Sequence, residues 1–303
     1  MESREVRHAY HIAGIEVAAP FAIPEWLGFA TASTGPMVRI EFGKGRAPGG
    51  LPGYGEPVGD HAAIAFDHDS LGTWRVIEGK RIELWPHKGA DKQLLRAVTI
   101  GSAWAALAYQ RRWLMAHASA VVMPGTTDAI LICGPSGSGK STLAALLSAN
   151  GARPVSDDLC RIDMETGGAP IVYPSASDAK LSHEAVTYLG WSERIERRVE
   201  PMEGKLRVPF PMPPTTRPVP IRALVLLSWA NEVKMNRIAG GEAVAEVAAA
   251  LCYRPKMLHV MQMTEQHVAH CASFCSRVPV YRLTRPRSLP DAREHAELIE
   301  AIV

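Results

Sequence analysis

The sequence predicts an α/β chain in two parts, a smaller β-rich N-terminal domain over residues 1–90 and an α/β domain over residues 91–303. Three observations predict it. Residues 1–90 cluster or alternate apolar side chains between Gly, Pro and Asp, as strands do. From Asp91 onward strand-like and helix-like runs alternate. One of those strands leads through a glycine-rich loop into a helix with an apolar face.

The N-terminal strands are expected at "YHIAGIEVAA", "MVRIEFG", "AAIAFDH" and "TWRVIEGKRIELW". Between the second and third lies "GKGRAPGGLPGYGEPVGD", too rich in Gly and Pro for a regular element and expected as an exposed loop. Asp91 to about Met115 reads as one long helix, because Leu94, Leu95, Val98, Trp104, Leu107, Ala108 and Leu114 recur at spacings of three and four. Asp91 is its expected N-cap. "HASAVVM" is a strand candidate and "PGTTD" a turn. "AILICG" is a strand, followed by the glycine-rich loop and a helix from Lys140 to Asn150 closed by Gly151.

"ARPVSDD" reads as a short strand, and "LCRIDMETGG" with "APIVYP" as a hairpin. "HEAVTYLGWSERIERRV" reads as helix. "PFPMPPTTRPVP" has too much Pro for a helix or a central strand. "IRALVLLSW" is a buried strand. "GEAVAEVAAALCY" and "EQHVAHCASFCS" are helices, "VPVYRLT" a last strand and "LPDAREHAELIEAIV" a last helix. No internal repeat and no low-complexity tail interrupts the pattern.

The 303 residues are 47% hydrophobic and 21% charged, the balance of a globular protein with a sizeable core. A formal charge of +2 carries no electrostatic footprint for nucleic acid. The longest apolar-looking run, around "VTIGSAWAALA", is far short of the ~20 residues that span a bilayer. "MESREVRHAY" is mixed in charge and lacks the apolar core of a secretion signal. Five cysteines, an odd number in a long chain, are no disulfide framework. These features favour the cytoplasm, with no membrane or nucleic-acid partner.

Gly134, Gly139, Lys140 and Ser141 fit G-x-x-x-x-G-K-[ST]. A strand before it and a helix with Leu143, Leu146 and Leu147 on one face supply the context the pattern needs. Glycines let the loop turn its backbone N–H groups inward on a phosphate, and the helix N-terminus adds partial positive charge. Gly134, Ser136, Gly137, Ser138, Gly139, Lys140, Ser141 and Thr142 are therefore the expected nucleotide-binding residues. Lys140 should bridge the β- and γ-phosphates, and the Ser141 hydroxyl should sit on Mg²⁺. The motif specifies nucleoside triphosphate binding, not a reaction. A transporter signature resembling L-S-G-G-Q and an N-K-x-D guanine reader are both absent from the sequence.

Asp157 and Asp158 follow in "VSDDLCRID", where the helix and its return strand bring the chain back toward the phosphates. Adjacent carboxylates in a strand point to opposite faces, but at a strand end the chain can aim both at one site. One can then hold Mg²⁺ and the other orient an attacking hydroxyl. The other reading leaves one of them as a turn or cap residue.

"HASAV", "GPSGSGKST" and "SDD", in that order, resemble the catalytic domain of the HPr kinase/phosphorylase family. They resemble more closely its shorter relatives, the HPr-kinase-like serine kinases, which include accessory kinases of lasso-peptide biosynthesis. "YHIAGIEVAAPFAIPEW" and "VYRLTRPRSLPDA" extend the likeness thinly over most of the chain. The resemblance implies a P-loop domain of the HPr kinase C-terminal type behind the β-rich domain, and ATP- and Mg-dependent phosphorylation of a serine in a peptide or small protein. It implies Asp157 as the base that orients and deprotonates the acceptor, Asp158 on Mg²⁺, and His117 near the phosphates or the base. The preferred version is tailoring of the C-terminal serine of a lasso-peptide precursor. The alternatives are a regulatory HPr-type kinase, or a nucleotide-binding switch or ATPase without transfer. HPr kinases assemble as hexamers, so a homo-oligomer is compatible with the likeness.

The Glu-Arg-Gly-type signature of HPr kinase/phosphorylases has no counterpart in "RIERRVEPMEGKLRVP". That departure counts against phosphorolysis and against HPr as acceptor. In the closer relatives a basic segment follows, so Lys205 and Arg207 are candidates for contacting nucleotide or acceptor, set against an ordinary solvated charge run. His267, Cys271 and Cys275 fall on one helical face, as zinc ligands would. Without a second ligand pair, the two cysteines read as small core residues. Cys133 is expected in the core, and Trp74, Trp85, Trp104 and Trp113 are packing residues, because no basic stripe accompanies them.

Overall fold

The structure is a computed structural model and describes residues 8–302 apart from 33–34, 54, 165–167, 176–177, 196 and 199–203. It is a mixed α/β chain with three sheets. The turn of the expected hairpin at 165–167 and positions 196 and 199 of the expected helix lie outside the described residues. The chain divides into two compact units, one of Met1–Met115 with Tyr253–Gln266, the other of Ala116–Cys252 with His267–Val303.

The first unit holds β1 (His8–Ile12), β2 (Ile15–Ala19), β3 (Val38–Phe42), β4 (Val58–Gly59), β5 (Ala63–His68), β6 (Gly72–Ile77) and β7 (Arg81–Pro86) in one sheet. Its order is β1-β2-β3-β7-β6-β5-β4. Phe66 stands directly opposite Trp74, their rings stacked at 5.5 Å, a cross-strand pair that pins the β5–β6 register. Helices α1 (Lys92–Val98) and α2 (Trp104–Gln110) follow, joined by a π turn over Thr99–Ala103.

Asp91 caps α1, its carboxylate accepting from the backbone N–H of Gln93 and Leu94 at 2.8 and 2.9 Å. The helix belongs with the N-terminal sheet. The Trp74 indole donates to Thr99 at 3.0 Å, and the Gln110 amide takes the Gly79 N–H and donates to the Val76 carbonyl. It ends at Gln110, before the Met115 that periodicity suggests. Arg112 adopts φ +58°, Trp113 N–H reaches back to the Ala108 carbonyl, and Arg112 N–H to that of Tyr109. This closing turn satisfies the last carbonyls and releases the chain into a strand.

That strand, β8 (Leu114–Val122), enters the second unit and is followed by β9 (Ala129–Cys133), α3 (Lys140–Ala149), β10 (Arg153–Asp163), β11 (Ile171–Val172), β12 (Asp178–Ser182) and α4 (His183–Leu189). Next come β13 (Arg197–Arg198), β14 (Lys205–Pro209), β15 (Val219–Trp229), β16 (Lys234–Ile238) and α5 (Gly240–Ala250). A short α6 (Pro255–Val260) returns to the first unit. The chain closes with α7 (Thr264–Cys275), β17 (Val280–Arg285) and α8 (Ala292–Glu300).

The main sheet runs β11-β10-β8-β9-β15-β17-β16, with β11 also pairing β15. β9, β15 and β17 are parallel, and their apolar runs are buried against α3 and α8. A separate sheet runs β12-β14-β13. Ala179, Leu181, Leu206 and Val208 enter the core, and Lys180, Lys205 and Arg207 take the other face. "HEAVTYLGWSERIERRV" is helical only to Leu189, because Gly190 at φ +70° caps α4 and ends it. Among the described residues no helix is long and apolar enough to cross a membrane.

Candidate functional site

Three parallel strands end on the same side of the main sheet, the side where open α/β sheets place ligands. β9 leads there into residues 134–139 and then α3. Gly134 sits at φ +155°, and a Cβ on it would lie 2.9 Å from the Leu227 carbonyl of β15, so only glycine lets the loop leave the sheet this closely. Ser136 and Gly137 are exposed, Ser138 is buried, and Gly139 precedes α3 at φ +85°. Ser141 and Thr142 are half-buried in the first turn of α3. Lys140 is buried, and its ammonium donates back to the carbonyls of Gly134 at 2.9 Å and Pro135 at 3.2 Å. Burial pulls its pKa down against the raising pull of Asp157 and Asp158.

β8 runs antiparallel to β9 with Ala118 opposite Cys133, which places His117 and Ser119 beside the root of the loop. β10 lies on the far side of β8 and carries both aspartates. The Ser119 hydroxyl donates to one Asp157 oxygen, and the Lys180 backbone N–H donates to the other at 2.7 Å. Ser141 hydrogen-bonds the same carboxylate. Asp157 is only 2% exposed, and burial pushes its pKa up despite these bonds.

Asp158 differs. Its side chain is 39% exposed, with His117 Nε2 3.2 Å from one oxygen and the Lys180 ammonium on the other. Burial raises its pKa, but the Lys180 charge and the His117 hydrogen bond outweigh that and hold the carboxyl well below its usual range.

The pair lies within β10, not at its end. Neighbouring strand residues should face apart, but Asp158 adopts φ +140°, so the backbone swivels and both carboxylates meet Lys180. A non-glycine residue held there is strained, and such strain concentrates at functional sites.

The small sheet brings further cations. Lys180 and Arg207 are directly opposite in the β12–β14 ladder, as are Ser182 and Lys205. Lys205 lies near enough to Lys140 to lower its pKa. Arg207 is buried with its Nε unpartnered.

The structure thus gathers His117, the residues of the loop, Lys140, Ser141, Asp157, Asp158 and Lys205 in one region, with Arg207 on the adjoining ladder. Sequence reading missed Ser119 and Lys180. Ser119 was findable, since it shares a strand face with His117. Lys180 carries no local signal, and only the approach of β12 to β10 makes it a site residue.

His267 is committed elsewhere, its Nε2 2.9 Å from the Ala248 carbonyl and 3.7 Å from Cys271 Sγ. Among the described residues no group of three or more His, Cys, Asp or Glu is placed to hold a metal ion. Cys133 is fully buried, and burial pushes its thiol pKa up, which leaves it inert beneath the loop.

No protein-family model matches the chain. No curated protein matches it. Among solved structures, the Hpr(Ser) kinase/phosphatase from Coxiella burnetii is similar over 62% of this chain and 94% of that one, at 11% identity and a TM-score of 0.31.

Proposed function

We propose that the chain is an ATP- and Mg-dependent P-loop kinase that phosphorylates a serine hydroxyl of a peptide or small protein, with the C-terminal serine of a lasso-peptide precursor as acceptor. One observation carries the reading. Two carboxylates stand side by side, one bonded to Ser141 of the loop and the other half-exposed between His117 and Lys180.

The residues fit a hard cation. Ser141 and Asp157 offer a hydroxyl and a carboxylate already in contact, the sparse oxygen set Mg²⁺ accepts while keeping its waters. Bound magnesium would supply charge neutralisation at the phosphates. Everything else is the chain's own work. The loop's N–H groups receive phosphate oxygens, and Lys140 exchanges its two loop carbonyls for them.

From their burial we infer roles for the aspartates in the reverse of the order the family resemblance implies. Asp157 has both oxygens occupied and almost no exposure, so it serves the metal side beside Ser141. Asp158 is open, so it receives the acceptor. The serine oxygen forms a bond to the γ-phosphorus as the bond to the ADP oxygen breaks, and the hydroxyl proton passes to Asp158. Its low proton affinity is compatible with this role, because phosphoryl transfer rests on positioning and charge neutralisation more than on base strength.

The test is to incubate the protein with ATP, Mg²⁺ and a precursor peptide ending in serine, beside the same peptide ending in alanine and beside HPr. A mass gain of one phosphate on the terminal serine alone is expected. Phosphorylated HPr with an untouched peptide would favour the regulatory kinase. ATP binding with no phosphorylated product would leave a nucleotide-binding switch.

A further inference from the structure

Arg285 ends β17 at the same sheet edge as the glycine-rich loop and is 3% exposed. Its Nη2 donates to the Ser138 carbonyl within the loop. Its Nη1 lies 3.1 Å from Nδ1 of His295, which is fully buried on α8. The guanidinium lies over the Trp229 ring at 5.0 Å, and its Nε has no hydrogen-bond partner. No carboxylate among the described residues pairs with it.

A buried guanidinium without a counter-charge is costly, and proteins keep one where an anion arrives to neutralise it. The loop is shaped around it. Gly139 stands at φ +85°, a torsion that favours glycine, and a Cβ on it would lie 2.7 Å from Nη2, so the cation lies close against the 138–139 backbone. His295 must present a bare Nδ1 to accept the Nη1 proton, which fixes the ring as neutral with its proton on the buried Nε2. Burial and the Arg285 charge both lower its pKa, in keeping with that form.

We propose that Arg285, held by His295 and Trp229, is a positioning residue for nucleotide binding. It turns the Ser138 carbonyl away from the phosphates, so that the N–H groups that follow face inward. It also gives the loop a standing positive charge at Ser138 and Gly139. This rests on the nucleotide-binding part of the function proposed above, but not on the acceptor or on transfer.

The experiment measures ADP and AMP binding by calorimetry for the wild type, R285M and R285K, with thermal melts alongside. AMP lacks the β-phosphate the loop would hold, so the loss should fall on ADP alone. R285M should weaken ADP about 10-fold, the size of one charge-assisted hydrogen bond, and leave AMP unchanged. R285K keeps charge but cannot span Ser138 and His295 together, and should weaken ADP about 3-fold. R285M or R285K with wild-type ADP affinity would overturn the inference, as would equal losses for ADP and AMP. If R285M does not fold, R285K decides alone by the same criterion. A wild type that fails to bind ADP would remove the nucleotide reading itself, a result separable from the Arg285 outcome.

Discussion

The glycine-rich loop and the small β12-β14-β13 sheet both border the two aspartates, yet they are assembled on different principles. The loop works through backbone, with consecutive residues and left-handed glycines at Gly137 and Gly139. The small sheet works through side chains. It sets Lys180 against Arg207 and Ser182 against Lys205 by pairing segments far apart in the chain. Asp157 bonds both sides, Ser141 at the start of α3 and the Lys180 backbone N–H, whereas Asp158 pairs with the Lys180 ammonium and His117. On the function proposed above, the difference would separate a device for holding phosphate from a device for placing charge where an acceptor arrives.

The strongest way to break this contrast is to delete one group from each side. K140A and D158N should each lower the transfer rate by about 1,000-fold or more in a phosphopeptide assay. K140A should also weaken ATP, while D158N should bind it normally. If D158N lost ATP binding as K140A does, the two sides would not be distinct. Next in size is K180M, expected to cut the rate about 100-fold with little change in ATP affinity, because it removes charge beside Asp158 without touching the loop.

D157N sharpens the contrast from the other side. The Mg²⁺ concentration for half-maximal activity should rise about 10-fold, as for loss of a residue that orients a metal site. A metal requirement displaced in D158N and unchanged in D157N would restore the role order that the resemblance implies. The smallest effect concerns stability. The folded Asp158 pKa lies below its unfolded value, so its contribution is complete above about pH 4 and drains away as pH falls further. Thermal melts of D158N should therefore show a flatter acid limb than the wild type. Equal slopes would mean that its partners contribute nothing in solution.

Legibility in the sequence follows the same division. The glycine-rich loop is local, so its glycines, Lys140 and Ser141 announce themselves in one stretch. The aspartate pair is half legible. Its carboxylates stand in the sequence, but their convergence needs the φ +140° swivel at Asp158, which no periodicity reveals. Lys180 and Arg285 are silent. Each becomes a neighbour of the site through distant stretches of chain, Lys180 by the approach of β12 to β10 and Arg285 by the pairing of β17 with β15. The fold reads the same way. The strands and α3 follow from apolar runs, whereas the end of α2 at Gln110 is set by Arg112 standing where glycine usually closes a helix.

The swivelled backbone at Asp158 has a consequence for how the protein tolerates change. Glycine would occupy that torsion without penalty, and relief of such strain is typically worth about 1–3 kcal/mol. D158G should therefore melt no lower than D158A, while both lose transfer. Because both variants lose the carboxylate and its pairing with Lys180 and His117, the gap between their melting points isolates what the torsion alone costs, apart from what the charge contributes.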